Sequence, residues 1–301
     1  MTRFSAATLD LSRFPPPFAI KALDLDTVLA ERLARLKSLF AAEGIDWDVD
    51  QLVGNPAAIL ERADSYRELL VRAALNDAVR AVMVAFAIGS DLEHLAAFYG
   101  LSRRVITPAQ NGQPAVMESD AELRRRALLA PEAFAAAGPH GAYVFHALNA
   151  DPRVLNADVW SPAPGEVQVA IQSREGDGSA SAELVDAVRR HLNRDDIKPI
   201  TDMVSVRSVT NHPFSISLDA YVQPGPDPVA VKAEIEEAIL KAVADRRTPS
   251  RDMPRSAIIG AAQRSMVDRV TLVSPAVDLA RGNGEVAVLQ AMDVRVTTHD
   301  G

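Results

Sequence analysis

The six histidines are the residues best suited to chemistry, because an imidazole ring binds metals and exchanges protons near neutral pH. They are His94, His140, His146, His191, His212 and His299. The sequence contains no HExxH motif and no other pair of histidines four residues apart, so the spacing indicates no zinc site. It also contains no GxSxG nucleophile turn. Only residues distant in sequence, such as His146, His191 and Asp202, leave a soluble α/β enzyme open as an alternative.

Two segments resemble the beginning of ligand-binding loops, but each lacks a decisive residue. Residues 46–50 (DWDVD) place carboxylates at alternate positions, as an EF-hand loop does. However, Gln51 stands where that loop needs glycine, and Ala57 stands where calcium needs a bidentate glutamate. Residues 176–181 (GDGSAS) fall between a predicted strand and a predicted helix, but a serine replaces the third glycine of a phosphate-binding turn. We therefore predict no catalytic, cofactor or metal site.

A cluster of arginines is the remaining chemical feature. Arg124, Arg125 and Arg126 cover one turn of a predicted helix. Guanidinium groups form fork-shaped hydrogen bonds with carboxylates, so this cluster suits an acidic partner surface. The same groups can also pair inside the chain with the acidic residues of segment 118–122. Both interpretations stay open.

The composition is that of a folded protein with two or three domains. The chain has 301 residues, of which 48% are hydrophobic and 24% are charged, and it contains no cysteine. The lack of cysteine excludes disulfides, thiolate zinc sites and cysteine nucleophiles. A net charge of −8 argues against nucleic-acid binding, which requires basic surface. The longest apolar run, residues 81–89, is too short for a membrane span, which needs about 20 residues, and no signal-peptide pattern begins the chain.

An N-terminal arm, residues 1–20, is the first candidate for partner contact. Residues 15–17 (PPP) each lack a backbone N–H and restrict the chain to extended conformations. Phe14 and Phe18 flank this segment with large apolar rings that an extended arm cannot bury by itself. Either the body of the protein or a neighbouring subunit can cover them.

A long helix over residues 56–88 is the second candidate, because proline suits its first turn and apolar residues recur at helical spacing. The recurring positions are Ile59, Ala63, Tyr66, Leu70, Ala74, Ala78, Val82 and Phe86. A helix of this length exceeds what a small domain usually buries, so the pattern indicates a helical bundle. The other helices of that bundle can come from other chains or from this one. The candidate partner-interface residues are Phe14, Phe18, Ile59, Tyr66, Leu70, Val82, Phe86 and the three arginines.

Further patterns predict where the helices and strands begin. A helix that follows the arm is capped by Asp26 or Thr27, and a capping box formed by Ser119 and Glu122 starts another. Another helix is predicted at 228–245. Alternating apolar residues predict a strand at 166–173 and two short final strands at 286–289 and 293–297.

These elements predict an α+β protein. Its N-terminal long-helix region is followed by two small α/β units with mixed or antiparallel sheets. After the arm, we predict a helical region at 21–101, a linker at 102–118, a middle α/β domain at 119–210 and a C-terminal α/β domain at 211–301.

Short motifs along nearly the whole chain resemble the baseplate assembly protein J family of contractile-tailed phages. The first is DLSRFPPP at residues 10–17, and NDAVRAVM at residues 76–83 is another. The remaining ones occur in the same order as in the family, at residues 27–33, 66–68, 89–92, 115–120, 141–146, 159–162, 173–175, 189–193, 199–202, 221–226 and 256–258.

This resemblance implies a non-enzymatic structural subunit of the baseplate wedge. It implies two copies per wedge, with six wedges forming a ring around a central hub. The N-terminal helices would join a bundle with a smaller wedge protein that links to the tail fibres, and the C-terminal units would connect neighbouring copies. A sheath-initiating or other wedge protein is a further implied partner.

Within such a baseplate, the ring would help transmit the fibre signal to sheath contraction. The implied location is the virion tail baseplate, after synthesis in the host bacterial cytoplasm. An adaptor of a phage-derived injection or gene-transfer particle is an alternative, because it would use the same mechanics.

Overall fold

The computed structural model describes residues 17, 19–47, 54–110, 112–135, 138–223, 225 and 227–298. Phe14 and Phe18 of the predicted arm lie outside the described residues. Within the described part, the chain divides into two compact units. One contains the residues up to Arg103 together with Glu118–Ala127, and the other contains Arg104–Met117 together with the residues from Leu128 onward.

The first unit is helical. Its main elements are α1 (Leu25–Ala42), α2 (Pro56–Ala81), α3 (Gly89–Ala97) and most of α4 (Asp120–Leu129). The predicted cap of α1 was wrong, because the helix starts one residue before Asp26. Its N-cap is Asp24, whose carboxylate accepts hydrogen bonds from the backbone N–H of Asp26 and from the hydroxyl of Thr27.

Helix α2 is shorter than predicted, since it ends at Ala81 with Val82 as its C-cap. Residues 84–86 form turns instead of continuing the helix to residue 88. The carbonyl oxygens of Val84 and Ala87 accept hydrogen bonds from the Arg124 guanidinium at 2.7 and 2.6 Å. Arg124 lies 40 residues after Val84 in the sequence, and its contact holds the segment in a non-helical path. No local sequence pattern could reveal such a contact.

The capping box before α4 is confirmed. The Ser119 hydroxyl accepts a hydrogen bond from the backbone N–H of Glu122 at 3.3 Å, and the Glu122 carboxylate accepts one from the Ser119 N–H at 3.2 Å. The predicted linker at 102–118 contains two short strands, β1 (Val105–Thr107) and β2 (Val116–Met117), which pair in antiparallel orientation.

The second unit also contains two small sheets. We call the first sheet and its helices the middle module. It comprises a 3-10 helix (Ala130–Phe134), α5 (His140–Ala150), β3 (Val154–Trp160), β4 (Glu166–Ser173), α6 (Ala182–Leu192) and β5 (Met203–Ser208). Strand β4 is central, antiparallel to β3 and parallel to β5. The strand predicted at 166–173 is therefore confirmed.

The C-terminal module has the second sheet. It comprises β6 (Thr210–Val222), α7 (Pro228–Arg246), α8 (Arg255–Ala262), β7 (Val267–Ser274) and β8 (Glu285–Thr298). Strand β6 is central, antiparallel to β7 and parallel to β8. The two short strands predicted at the end are one strand, because the register shifts where Phe214 pairs with Leu289 and Ser215 pairs with Ala291. Gln290 is the extra residue of this bulge, and it breaks the alternation without ending the strand.

Both modules combine helices with mixed sheets, so the predicted α+β fold class is confirmed. In the C-terminal module, α7 buries Val231, Ile235, Ile239 and Val243 against a sheet whose inward residues include Ile216 and Leu218. Among the described residues, no helix is both long enough and apolar enough to cross a membrane.

Candidate assembly surface

Helices α1 and α2 pack together through a narrow and largely polar contact. The buried residues of α2 are small or polar: Ala58, Ser65 and Asn76. The buried residue of α1 is Val28, and its other large apolar residues Leu29, Leu33, Leu36 and Phe40 are only half-buried. A two-helix contact of this kind buries little apolar surface and leaves most of α2 uncovered.

Ion pairs and hydrogen bonds align the two helices. The Arg32 guanidinium of α1 reaches three carboxylates of α2, with Nε 2.7 Å from Glu61 and Nη1 3.2 Å from Glu68. Hydrogen bonds from Arg72 and Arg32 lower the pKa of Glu68, so it stays ionised. Asn76 pairs with the backbone of Lys21, accepting from its N–H and donating to its carbonyl oxygen, each at 2.8 Å. These contacts fix which side of α2 faces α1.

The predicted stripe of α2 is exposed. Ile59, Tyr66 and Leu70 are 53%, 56% and 52% exposed, and the alanines that alternate with them are also exposed. We call these six residues the outer row: Ile59, Ala63, Tyr66, Leu70, Ala74 and Ala78. Because three of its members are alanines, another helix can approach the row closely.

A second row of large apolar residues lies beside the outer row. It consists of Leu60, Val71, Leu75 and Val82, of which the least exposed is Leu75 at 48%. These four residues recur at helical spacing in the sequence, but only the position of α1 in the structure shows that they face away from α1. Phe86, predicted as part of the interface, is half-buried beyond the end of the helix. We call the two rows together the apolar face of α2.

Two of the predicted interface arginines make contacts inside the first unit. Arg124 donates to backbone carbonyls, as described above, and Arg126 forms an ion pair with Glu118 at 2.6 Å. The side chains of this pair are only 8% and 2% exposed. Arg125 lies between them and is half-buried. The pairing inside the chain that the sequence left open therefore occurs for Arg126, while a contact of this cluster with a partner stays a prediction.

The nearby carboxylate of Asp120 is held by a different arginine. It accepts hydrogen bonds from the Gly89 backbone N–H at 3.1 Å and from Arg103 at 2.6 Å. These two donors lower the pKa of Asp120. Arg103 also pairs with Glu93 at 2.6 Å, so these contacts fasten α3 to the start of α4.

The residues of the alternative enzymatic site divide between two contacts. His146 and His191 lie together in the middle module, with ring centroids 6.1 Å apart, and burial lowers the pKa of both. Asp202 instead accepts a hydrogen bond from the Tyr143 hydroxyl at 2.6 Å, and burial followed by this bond raises the pKa of Tyr143. No group of three or more His, Asp or Glu residues in the described ranges is arranged to hold a metal ion. The contact between His146 of α5 and His191 of α6 is typical of side chains packed between two helices.

Comparisons with known proteins match the chain along most of its length. Residues 54–110 match the Baseplate J-like N-terminal domain, residues 135–208 the Baseplate J-like central domain, and residues 214–295 the Baseplate J-like C-terminal domain. The chain belongs to the baseplate J family. Baseplate protein J of Escherichia phage P2 is 36% identical over 277 residues, which cover 90% of this chain and 92% of the phage protein.

Family membership relates directly to the fold. The baseplate J N-terminal domain covers α2 and α3, so the apolar face of α2 lies inside a segment that the family shares. The central and C-terminal baseplate J domains cover nearly all of the middle and C-terminal modules.

Proposed function

We propose that this protein is a structural, non-enzymatic subunit of the baseplate wedge of a contractile phage tail. Membership of the baseplate J family and the full-length similarity to baseplate protein J of phage P2 support a structural role in the baseplate. The observation that carries the finer assignment is the apolar face of α2, because it is a large apolar surface on a helix that one other helix already contacts on the opposite side.

The apolar face of α2 is the proposed site of bundle formation. Large exposed apolar surfaces mark protein interfaces, and here the two apolar rows flank the exposed Arg67. The occupant that we propose is a set of helices from a second copy of this chain and from the smaller wedge protein that links to the fibres. Small residues in the outer row and large residues in the second row suit the interlocking contacts of packed helices.

The middle and C-terminal modules are the proposed ring-forming part. In the wedge, they would reach the neighbouring copy, and six wedges would surround the central hub and contact a sheath-initiating or other wedge protein. In this arrangement the helical bundle receives the fibre signal and the ring passes it towards the sheath. The location that follows is the virion tail baseplate, after synthesis in the host bacterial cytoplasm.

Sedimentation velocity of the full chain tests the bundle. The chain is compared alone and after co-expression with the smaller wedge protein, across micromolar concentrations. We expect self-association or aggregation of the chain alone, and a soluble complex that contains two copies of the chain with the partner. A monodisperse monomer that ignores the partner would contradict the proposed function.

A further inference from the structure

The middle and C-terminal modules meet along a seam where the backbone is continuous. Only Val209 separates β5 from β6, so one extended segment takes part in both sheets. The N–H of Val209 donates to the Ile171 carbonyl of β4 at 3.0 Å, and the next N–H, of Thr210, donates to the Gly284 carbonyl at 2.9 Å. A small apolar cluster of Ala170, Val209 and Val286 fills the space behind this segment.

Asp158 of β3 is the polar centre of this seam. It belongs to the middle module, and its side chain is only 9% exposed. Its Oδ2 accepts hydrogen bonds from the Ser250 hydroxyl and, at 2.9 Å, from the Gly284 N–H, and both donors belong to the C-terminal module. Its other oxygen, Oδ1, lies 3.9 Å from Nε2 of His140. One buried carboxylate therefore joins a strand of the middle module to two loops of the C-terminal module.

The two loops have conformations that bring them close to the middle module. Ser250 has a φ of 60°, a conformation that residues other than glycine rarely adopt, and its hydroxyl oxygen also lies 3.1 Å from the Gly282 carbonyl oxygen. Gly284 has a φ of 70°, and a Cβ there would lie 2.7 Å from Cβ of Ala170 and 2.8 Å from an Arg207 guanidinium nitrogen. The C-terminal loop therefore approaches β4 so closely that no side chain fits between them.

Further contacts extend the seam on both sides of Asp158. Arg207 lies over the Trp160 ring, 5.0 Å from its centroid, and donates to the Asn283 carbonyl at 3.1 Å. At the other end, the Asp177 carbonyl accepts hydrogen bonds from Arg247 at 2.6 Å and from Asn211 at 3.1 Å. Contacts between the two modules therefore lie on both sides of Asp158.

We propose that Asp158 fastens the middle and C-terminal modules into one rigid arm, so that they move together in any rearrangement of the protein. A hinge between two modules needs a few residues that are free to change their φ and ψ angles. At this seam, the single connecting residue is hydrogen bonded within a sheet, and the neighbouring loops are held by a buried carboxylate. This inference concerns the chain itself and does not rest on the proposed function, so it can fail while the baseplate role stands.

Two spectroscopic measurements on the full chain test this inference. Because the chain has no cysteine, the changes Arg190→Cys on α6 and Glu237→Cys on α7 provide two specific positions for spin labels. Pulsed electron paramagnetic resonance then reports the distribution of distances between the spin label on the middle module and the one on the C-terminal module. Hydrogen exchange of the Gly284 amide reports whether its hydrogen bonds to the Asp158 carboxylate and to the Ser250 hydroxyl oxygen, each 2.9 Å long, open together. For the unchanged chain we expect one narrow distance distribution and slow exchange.

The variant Asp158→Asn removes the charged acceptor, and Asp219→Asn on the outward side of β6 is its matched control. We expect Asp158→Asn to broaden the distance distribution and to accelerate Gly284 exchange by about tenfold or more, since the amide oxygen of asparagine is a weaker acceptor than a buried carboxylate and makes local opening easier. The control should change neither. If Asp158→Asn does not fold, Ser250→Ala decides by the same criteria.

Ser250→Gly separates the hydrogen bond from backbone strain. Glycine relieves the positive φ but lacks the hydroxyl, so we expect faster Gly284 exchange even though the backbone is relaxed. A broad distance distribution in the unchanged chain would overturn the inference. The inference would also be overturned if Asp158→Asn had the same Gly284 exchange rate and the same distance distribution as the control. Where Ser250→Ala replaces that variant, the same criterion applies to it.

Discussion

The change Leu70→Glu is the sharpest test of the apolar face of α2. Leu70 lies in the middle of the outer row and is 52% exposed in the chain alone. Full burial of a leucine side chain contributes about 1.5–3 kcal/mol, so covering the exposed half on association contributes roughly 1 kcal/mol. A glutamate at the same place would lose this contribution and would also bring an unpaired carboxylate into a dry helical interface, which costs several kcal/mol more. The combined loss is at least about 3 kcal/mol, which weakens partner binding by more than ~100-fold.

The same change should hardly affect the folding of the chain alone. Substitutions at exposed positions usually change the free energy of unfolding by less than about 0.5 kcal/mol, and glutamate has nearly the same helix propensity as leucine. Leu240→Glu on α7 is a matched control, because Leu240 is 51% exposed on a helix of the C-terminal module.

Isothermal titration of the chain with the smaller wedge protein gives the dissociation constant, and circular dichroism on heating gives the melting temperature. At concentrations low enough for the unchanged chain to be monomeric, we expect Leu70→Glu to lose binding without a change in melting temperature, and adding Val82→Glu should abolish the complex. The reasoning is refuted if folded Leu70→Glu binds within a few fold of the unchanged chain. It is also refuted if Leu240→Glu loses as much binding as Leu70→Glu.

Two further predictions concern stability. Glu118→Gln removes the carboxylate that pairs with the buried Arg126 guanidinium, so we expect a loss of about 3–5 kcal/mol from the first unit, measured by thermal unfolding. A loss below about 1 kcal/mol would contradict a buried pair. Burial lowers the pKa of His146 and His191, so the folded state favours their neutral forms. The contribution of these two residues to the free energy of unfolding is therefore fully present above the unfolded-state pKa of about 6.5, and it should decrease as the pH falls through their folded-state pKa values. Replacing both with asparagine should flatten the dependence of melting temperature on pH in this range, whereas His94→Gln, at an exposed position, should leave it unchanged.

Local signals in the sequence predicted most elements, whereas contacts between residues distant in sequence leave no local pattern by which to predict them. The strand at 166–173 and the capping box at Ser119 depend on alternation and on residues three apart, and both are confirmed. The end of α2 depends on Arg124, whose acceptors lie 37 and 40 residues earlier in the chain. Spacing alone could not show whether that arginine faces a partner or its own chain. The Asp158 seam joins residues up to 126 positions apart, so no motif marks it.

The candidate surface was predictable in part, because helical spacing located the outer row but not its exposure. Amphipathic patterns show that a helix has an apolar side, and they do not show what covers that side. Leu60, Val71 and Leu75 became candidates only after the position of α1 was known.

A comparison of two helices explains why α2 points to a partner while α7 does not. Both carry large apolar residues at helical spacing. Helix α7 directs Ile235 and Ile239 into its own module, where each is fully buried. Helix α2 differs: the fully buried residues of its inward side are Ala58, Ser65 and Asn76, Leu69 beside them is only half-buried, and most of its other large apolar residues are exposed. Selection for a stable monomer alone would place large apolar residues against α1, because burial there stabilises the fold. Large apolar residues exposed along a whole helix are explained when that side becomes the inside of a larger assembly.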